Sequence, residues 1–296
     1  MEESVLTEAQ TLKRVEDEIR FLIARFEKPA KRILEFIAPQ IRDRAYDSVL
    51  SDDSGGRIHT LVLGQAIQDL YGADKRLNVV FVQGGRLLKR DAPFERSYSS
   101  SMVKNNPLLR AAFEAGEMTW EPYPFDSDRA LEEDDGEYVL KRATTHADEV
   151  RAYLHRMRAR LGRRTLVVTE EIDGGASIDI LVGLLREVGV SAEAASFGTT
   201  WYESDVEEPN PYVTKEGTVI YLGNQFNNGP TLDSEHLGIW EEKRSGFGHP
   251  IAKRARNFED RMKVILARDA AKELGHRLAD WCRTEGIVPL RKQKDA

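Results

Sequence analysis

Two adjacent carboxylates, Glu170 and Glu171, stand at the end of the apolar run Leu166-Val167-Val168, and the loop Asp173-Gly174-Gly175-Ala176-Ser177 follows them. From Ile178 to Val188 the apolar residues then keep helical spacing. A strand, a short glycine loop and a helix start together make a receptor for an anion the size of a phosphate. Gly174 and Gly175 let the backbone turn tightly and come close to a ligand with no Cβ in the way. The helix start offers unpaired N–H groups and the positive end of a dipole. Ser177 can either cap the helix or donate its hydroxyl to the anion. Paired carboxylates at a strand end suit vicinal hydroxyls or a hydrated Mg²⁺. The same pattern also arises in ordinary strand-to-helix turns with solvated acids, so the other segments of the chain must decide.

A second glycine loop lies upstream. In Tyr46-Asp-Ser-Val-Leu-Ser-Asp-Asp-Ser-Gly-Gly-Arg57 a short apolar stretch runs into Ser54, Gly55, Gly56 and Arg57. Ile58, Leu61, Val62, Ala66 and Leu70 then keep helical spacing, and Leu77 to Val82 reads as a strand. This is one βαβ unit, whose two strands run parallel. Arg57 at its loop can meet a phosphate in a two-pronged geometry. His59, just beyond, either touches a ligand or packs inside the helix face. After Val82 comes Gln83-Gly-Gly-Arg-Leu-Leu-Lys-Arg90, which adds Arg86, Lys89 and Arg90 as candidate anion contacts. The polar stretch Ser97-Tyr-Ser-Ser-Ser101 reads as a flexible lid.

The elements that must position these loops repeat the pattern. A helix over 147–160, rich in arginine, leads into the strand that ends at the glutamates, and further strands are expected over 191–197 and 217–222. The polar loop after the last strand carries Asn224 and Phe226, which could bond to and stack on a base. Helices flank this core: residues 8–38 are broken at Pro29, and residues 255–284 have one buried face. The expected fold is α/β, a doubly wound, mainly parallel sheet with helical N- and C-terminal extensions. The expected domains are an N-terminal extension (1–44), an α/β domain (45–225) with an insertion at about 91–145, and a C-terminal extension (226–296). The N-terminal helices either cover the sheet or form a homodimer contact.

Taken in order, the two loops resemble those of type I phosphoribosyltransferases over residues 45–225. The resemblance implies that Asp173, Gly174, Gly175, Ala176 and Ser177 hold the 5′-phosphate of phosphoribosyl pyrophosphate. It implies that Glu170 and Glu171 hold the ribose hydroxyls and meet the Mg²⁺ that the substrate carries. It assigns the pyrophosphate to Ser54, Gly55, Gly56, Arg57 and Lys89, and gives Asp173 the place of a catalytic base toward the acceptor. The implied reaction displaces pyrophosphate from ribose C1 by a nitrogen of a base. Two features depart from the family: both acids are Glu, and the shorter loop lacks the usual leading Thr. They favour the alternative of a non-catalytic member that senses phosphoribosyl pyrophosphate or a nucleotide. A third reading is a protein-interaction scaffold on the same fold.

Composition bounds these readings. The chain has 296 residues, 41% hydrophobic and 31% charged, with a net charge of −7. An acidic chain argues against nucleic acid as the partner. Cys282 is the single cysteine, so no internal disulfide forms, and no Cys/His spacing suggests zinc. The start Met-Glu-Glu-Ser is acidic and leads into an amphipathic helix rather than a signal peptide. A reducing cytoplasm, with no membrane partner, is the expected setting.

Overall fold

The computed structural model describes residues 8–51, 56–82, 93–116, 118–122, 136–172, 174–199, 210–224 and 258–288. The chain divides into two compact units, residues 1–88 with 150–296, and residues 89–149.

The larger unit is built on a six-stranded sheet. Its strands are β1 (Ser48–Ser51), β2 (Asn78–Phe81), β6 (Arg164–Ile172), β7 (Ser191–Thr199), β8 (Tyr212–Val213) and β9 (Val219–Leu222), in the order β2-β1-β6-β7-β9-β8. Every neighbouring pair is parallel except β8 with β9. Such strands, covered on both faces, read as continuous buried runs, as Leu166-Val167-Val168 does. One face carries α1 (Glu8–Ala24), α2 (Glu27–Phe36), α4 (Gly56–Tyr71) and α9 (Phe258–Thr284), whose apolar side chains share a core with Val49, Leu166, Val168, Ala195, Phe197 and Tyr221. The other face carries α7 (His146–Leu161) and α8 (Ala176–Glu187). There the Ser48 hydroxyl donates to the Leu161 carbonyl at 2.9 Å, and Arg151 pairs with Glu187 at 2.7 Å. This is the mainly parallel α/β arrangement expected from the sequence, compatible with a doubly wound fold.

The N-terminal helices cover the sheet, with Val15, Ile19, Ile23 and Phe26 on one buried stripe. Their break falls at Arg25–Phe26 rather than at Pro29. Pro29 sits in the first turn of α2, where no intrahelical amide donor is required. A short α3 (Ala38–Arg42) follows, with Pro39 likewise in its first turn.

At the amino edge of the sheet a polar network ties the strands to these helices. Asp47 accepts from the Arg163 amide at 2.7 Å and pairs with Lys75 at 2.9 Å. Burial alone would raise its carboxyl, but bonds from Lys75 and from the Arg163 and Arg164 amides, with the Lys75 charge, outweigh it and hold the group below the usual carboxylate range. Tyr46 donates to Glu193 at 2.7 Å, and burial followed by that carboxylate pushes its phenol far up, so it remains a donor. Arg164 completes the pair with Glu193.

The smaller unit holds β3 (Pro93–Ser99), α5 (Ser100–Asn105), α6 (Pro107–Glu114), β4 (Met118–Pro122) and β5 (Gly136–Thr145), with the antiparallel order β3-β5-β4. The flexible stretch expected at 97–101 is instead the end of β3 and the start of α5, because β5 supplies a pairing partner from Ser97↔Val139 to Ser99↔Glu137. Thr145 and Asp148 form a reciprocal capping box at the start of α7: the Thr145 amide donates to Asp148 at 3.0 Å, and the Asp148 amide to the Thr145 hydroxyl at 3.2 Å.

Among the described residues, no helix is long and apolar enough to cross a membrane.

Candidate functional site

In an open parallel sheet, ligands bind beyond the carboxyl ends of the strands, where the winding direction reverses. Here β1 has β2 on one side and β6 on the other. The chain leaves β1 through α4 toward β2, and leaves β6 through α8 toward β7. The reversal therefore lies between β1 and β6, and both glycine loops start at that crevice.

Strand β6 overhangs the crevice. Its pairing with β1 ends at Ser51↔Val168, while its pairing with β7 continues to Ile172↔Thr199. Glu170 and Glu171 thus stand beyond the end of β1, both half-buried. Successive strand residues point to opposite faces, so the two carboxylates flank the strand rather than pointing together. Among the described residues, no group of three or more His, Cys, Asp or Glu is placed to hold a metal ion. Two half-buried carboxylates are hard oxygen donors that suit the waters of a hydrated Mg²⁺ held mainly by a ligand.

The loop after β6 turns through two left-handed residues, Gly174 at φ +65° and Gly175 at φ +80°. Gly174 is exposed and a Cβ there would meet nothing within 4 Å. Gly175 is buried, and a Cβ there would lie 2.9 Å from Thr214 Cγ2 and 3.2 Å from Ile220 Cδ1. Gly175 is also the N-cap of α8, with no side-chain hydrogen bond. Ser177, in the first turn of the helix, is therefore not its cap. Among the described residues, the Gly174 and Gly175 amides donate no hydrogen bond within the protein. The N-terminus of a twelve-residue helix thus opens beside the glutamate overhang without a protein side chain capping it. Asp173 lies outside the described residues.

A hairpin that the sequence reading did not anticipate fixes this loop. Thr214, in the turn joining β8 to β9, donates to Asp179 in the first turn of α8 at 2.5 Å and accepts from the Thr218 amide at 3.0 Å. The hairpin side chains Thr214 and Ile220 are the ones that leave no room for a side chain at Gly175. Thr214-Lys-Glu-Gly217 carries a turn signal in its glycine, but its bond to Asp179 joins residues far apart in sequence and has no local signature.

Of the second loop, Ser54 and Gly55 lie outside the described residues, as do Arg86, Lys89 and Arg90. Gly56 opens α4, and its carbonyl accepts the Thr60 hydroxyl at 2.7 Å. Arg57 lies in the first turn with its guanidinium 5.6 Å from the centre of the Phe81 ring, at the carboxyl end of β2. His59 points the other way. It is fully buried, 4.3 Å from the Phe26 ring and 4.5 Å from Phe197, so it is a core residue and not a ligand contact. Asn224 follows β9 at the same sheet edge; Phe226 lies outside the described residues.

An open groove of about 540 Å³, lined by Gln68, Asp69, His276 and Arg283 among others, sits at the C-terminal end of α4. Because α4 runs back from the carboxyl edge to the amino edge, this groove is at the wrong edge for the glycine loops. Its polar groups pair with each other and fasten α9 to α4: Asp69 pairs with His276 at 2.5 Å, and Arg283 donates to the Asp69 carbonyl at 2.7 Å.

Compared with protein-family models and with curated proteins, the chain matches no family model and no curated sequence.

Proposed function

We propose that the chain binds the ribose 5-phosphate part of phosphoribosyl pyrophosphate or of a nucleotide, in the manner of a type I phosphoribosyltransferase. One observation carries this reading: a helix N-terminus whose cap is a left-handed glycine, with no side chain in the cap, opens beside two half-buried carboxylates at the winding reversal of the sheet. The amides and dipole of α8 suit the 5′-phosphate. Glu170 and Glu171, one on each face of the overhang, suit the ribose hydroxyls and the waters of the Mg²⁺ that arrives with the diphosphate. Arg57, at the next loop, suits the diphosphate itself. When bound, the metal neutralises charge on the leaving diphosphate. The residues of the chain hold the ribose and the phosphates in fixed relation, which is the main demand of a displacement at C1. Asp173 is the proposed base toward the acceptor nitrogen.

A non-catalytic ligand sensor is the second reading, favoured by the Glu-Glu pair and by a loop whose hydroxyl is Ser177 rather than Thr. Calorimetric titration with phosphoribosyl pyrophosphate and Mg²⁺ tests binding, and release of pyrophosphate with a panel of nucleobases separates an enzyme from a sensor. Glu171→Ala should weaken binding about tenfold or more while the chain stays folded, since a hydrogen bond to a charged group contributes roughly 1.5–3 kcal/mol. Unchanged affinity in that variant would remove the carboxylates from the site.

A further inference from the structure

The groove between the C-terminal end of α4 and helix α9 holds an imidazole that the protein fixes from one side. His276 bonds through Nδ1 to one Asp69 oxygen at 2.5 Å, and the other Asp69 oxygen accepts from the Gln65 amide at 2.7 Å. The Asp69 side chain is 21% exposed, whereas the His276 side chain stands 57% exposed. A carboxylate that takes the Nδ1 proton holds the ring in the tautomer whose Nε2 offers a lone pair, the arrangement found behind imidazole ligands of metal ions. Nε2 makes no hydrogen bond among the described residues. One helical turn along α9, Asp280 lines the same groove with its side chain 75% exposed. Residues four apart on a helix have Cβ atoms about 5–6 Å apart, near enough for an imidazole nitrogen and a carboxylate oxygen to meet one ion. Arg283 donates to Asp280 at 2.7 Å, but so exposed a pair contributes at most about 1 kcal/mol, and Arg283 has a second bond, to the Asp69 carbonyl. The lining attracts cations. It sets two carboxylates against one guanidinium, and Gly72, at φ +70°, ends α4 there with the negative end of the helix dipole.

We propose that His276 Nε2 and the Asp280 carboxylate bind a divalent transition-metal ion of the Zn²⁺ class, with Asp69 as the positioning residue behind the imidazole. An imidazole beside a carboxylate selects such an ion over Mg²⁺, which takes oxygen ligands. Among the described residues, no group of three or more His, Cys, Asp or Glu is placed to hold a metal. The site therefore supplies two protein ligands, water completes the coordination, and the ion exchanges readily, unlike a four-ligand structural zinc. Both ligands lie on α9, and the supporting carboxylate lies on α4. A bound cation polarises the Nδ1–H of His276 toward Asp69 and tightens the bond that fastens the two helices. The ion is thus a removable brace on that contact. The site uses neither the Gly174 loop, the glutamates nor Arg57, so it holds or fails separately from the ribose-phosphate reading.

The test titrates ZnCl₂ into the full chain by calorimetry in a buffer free of chelators. Saturable Zn²⁺ binding is expected. D69N removes only the outer support and should weaken it about 10–100-fold, while H276Q and D280N each remove a ligand and should cost at least about tenfold. D280N breaks no bond between α9 and α4, so it stays folded and carries the test even where H276Q or D69N does not. H155Q, which changes an exposed histidine on α7, should keep the wild-type affinity. Saturating Zn²⁺ should raise the Tm of the wild type and leave that of H276Q unmoved. Imidazole ¹⁵N shifts should place the ion on Nε2 of His276 with Nδ1 still protonated. The inference is overturned by absent Zn²⁺ binding, by wild-type affinity in D280N, or by a loss in H155Q equal to that in H276Q, which would mean an ion scattered over exposed histidines. An ion found on Nδ1, or wild-type affinity in D69N, would overturn the role of Asp69.

Discussion

Alanine at each of the two loop glycines separates packing from ligand binding. Both hold left-handed backbone, at φ +65° for Gly174 and +80° for Gly175. A Cβ in that region costs about 1–2 kcal/mol, of which a stiffer unfolded chain returns about 0.4–1 kcal/mol. Gly174→Ala meets open space, so the net loss is about 1 kcal/mol, or roughly 1–2 °C in Tm for a chain of this size. Gly175→Ala adds a Cβ at 2.9 Å from Thr214 and 3.2 Å from Ile220. Overpacking of that kind costs a further 1–3 kcal/mol or so, which brings the total to about 2–4 kcal/mol. Denaturant unfolding of the two variants reads the difference. Equal stability would refute the account of the hairpin as the clamp on the loop. The same Gly174→Ala variant adds a methyl beside the two amides that are proposed to receive the phosphate. Its affinity for phosphoribosyl pyrophosphate should fall about tenfold or more, a loss of at least about 1.4 kcal/mol, although its fold is nearly intact. Wild-type affinity in Gly174→Ala would refute the phosphate assignment while leaving the clamp standing.

Two further predictions concern the scaffold. Asp47 has a lowered folded pKa, so it contributes stability above its unfolded value, near about pH 4, and that contribution is lost as the pH falls through the lower folded value. The stability gap between wild type and Asp47→Asn should therefore be full at pH 7 and close as the solution is acidified below about pH 4; a gap independent of pH would contradict the amide and Lys75 bonds. Cys282 is fully buried, and burial, followed by the nearby Glu35 carboxylate, pushes its thiol up to about 12. A thiol reagent at pH near 8 should label it only after denaturation, and rapid labelling of the folded chain would show that the α9 packing is wrong.

What the sequence revealed follows from how local the signals are. The strand signals at 166–168 and 217–222 and the helical spacings at 58–70 and 178–188 depend on nearest neighbours and the period of one element, and strands or helices form at each of these places, with ends shifted by a few residues. The sequence places the glutamates at the carboxyl edge of a parallel sheet, but the winding reversal between β1 and β6 is visible only once the strand order is known. Proline in a helix interior stops a helix, so the sequence points to a break at Pro29, whereas Pro29 stands in the first turn of α2 and the break falls at Arg25–Phe26. β3 and β5 have no local signal, because an antiparallel partner 38 to 52 residues away in the chain, from Ser99↔Glu137 to Pro93↔Thr145, decides the conformation of polar segments. His59 was ambiguous for the same reason: only the arrival of Phe26 and Phe197, from distant segments, makes it a core residue. At the candidate site, the glycines and acids were legible as residue types. The clamp by Thr214 and Asp179 exists only once strands from distant segments are side by side.

Amide ¹H–¹⁵N shifts during a titration with ribose 5-phosphate test the central claim most directly. The Gly174, Gly175 and Ser177 amides should move downfield together and saturate with one affinity, because the proposed site has all three donate to one phosphate. Saturable binding that leaves these amides unmoved and shifts signals elsewhere would place the ligand outside this loop.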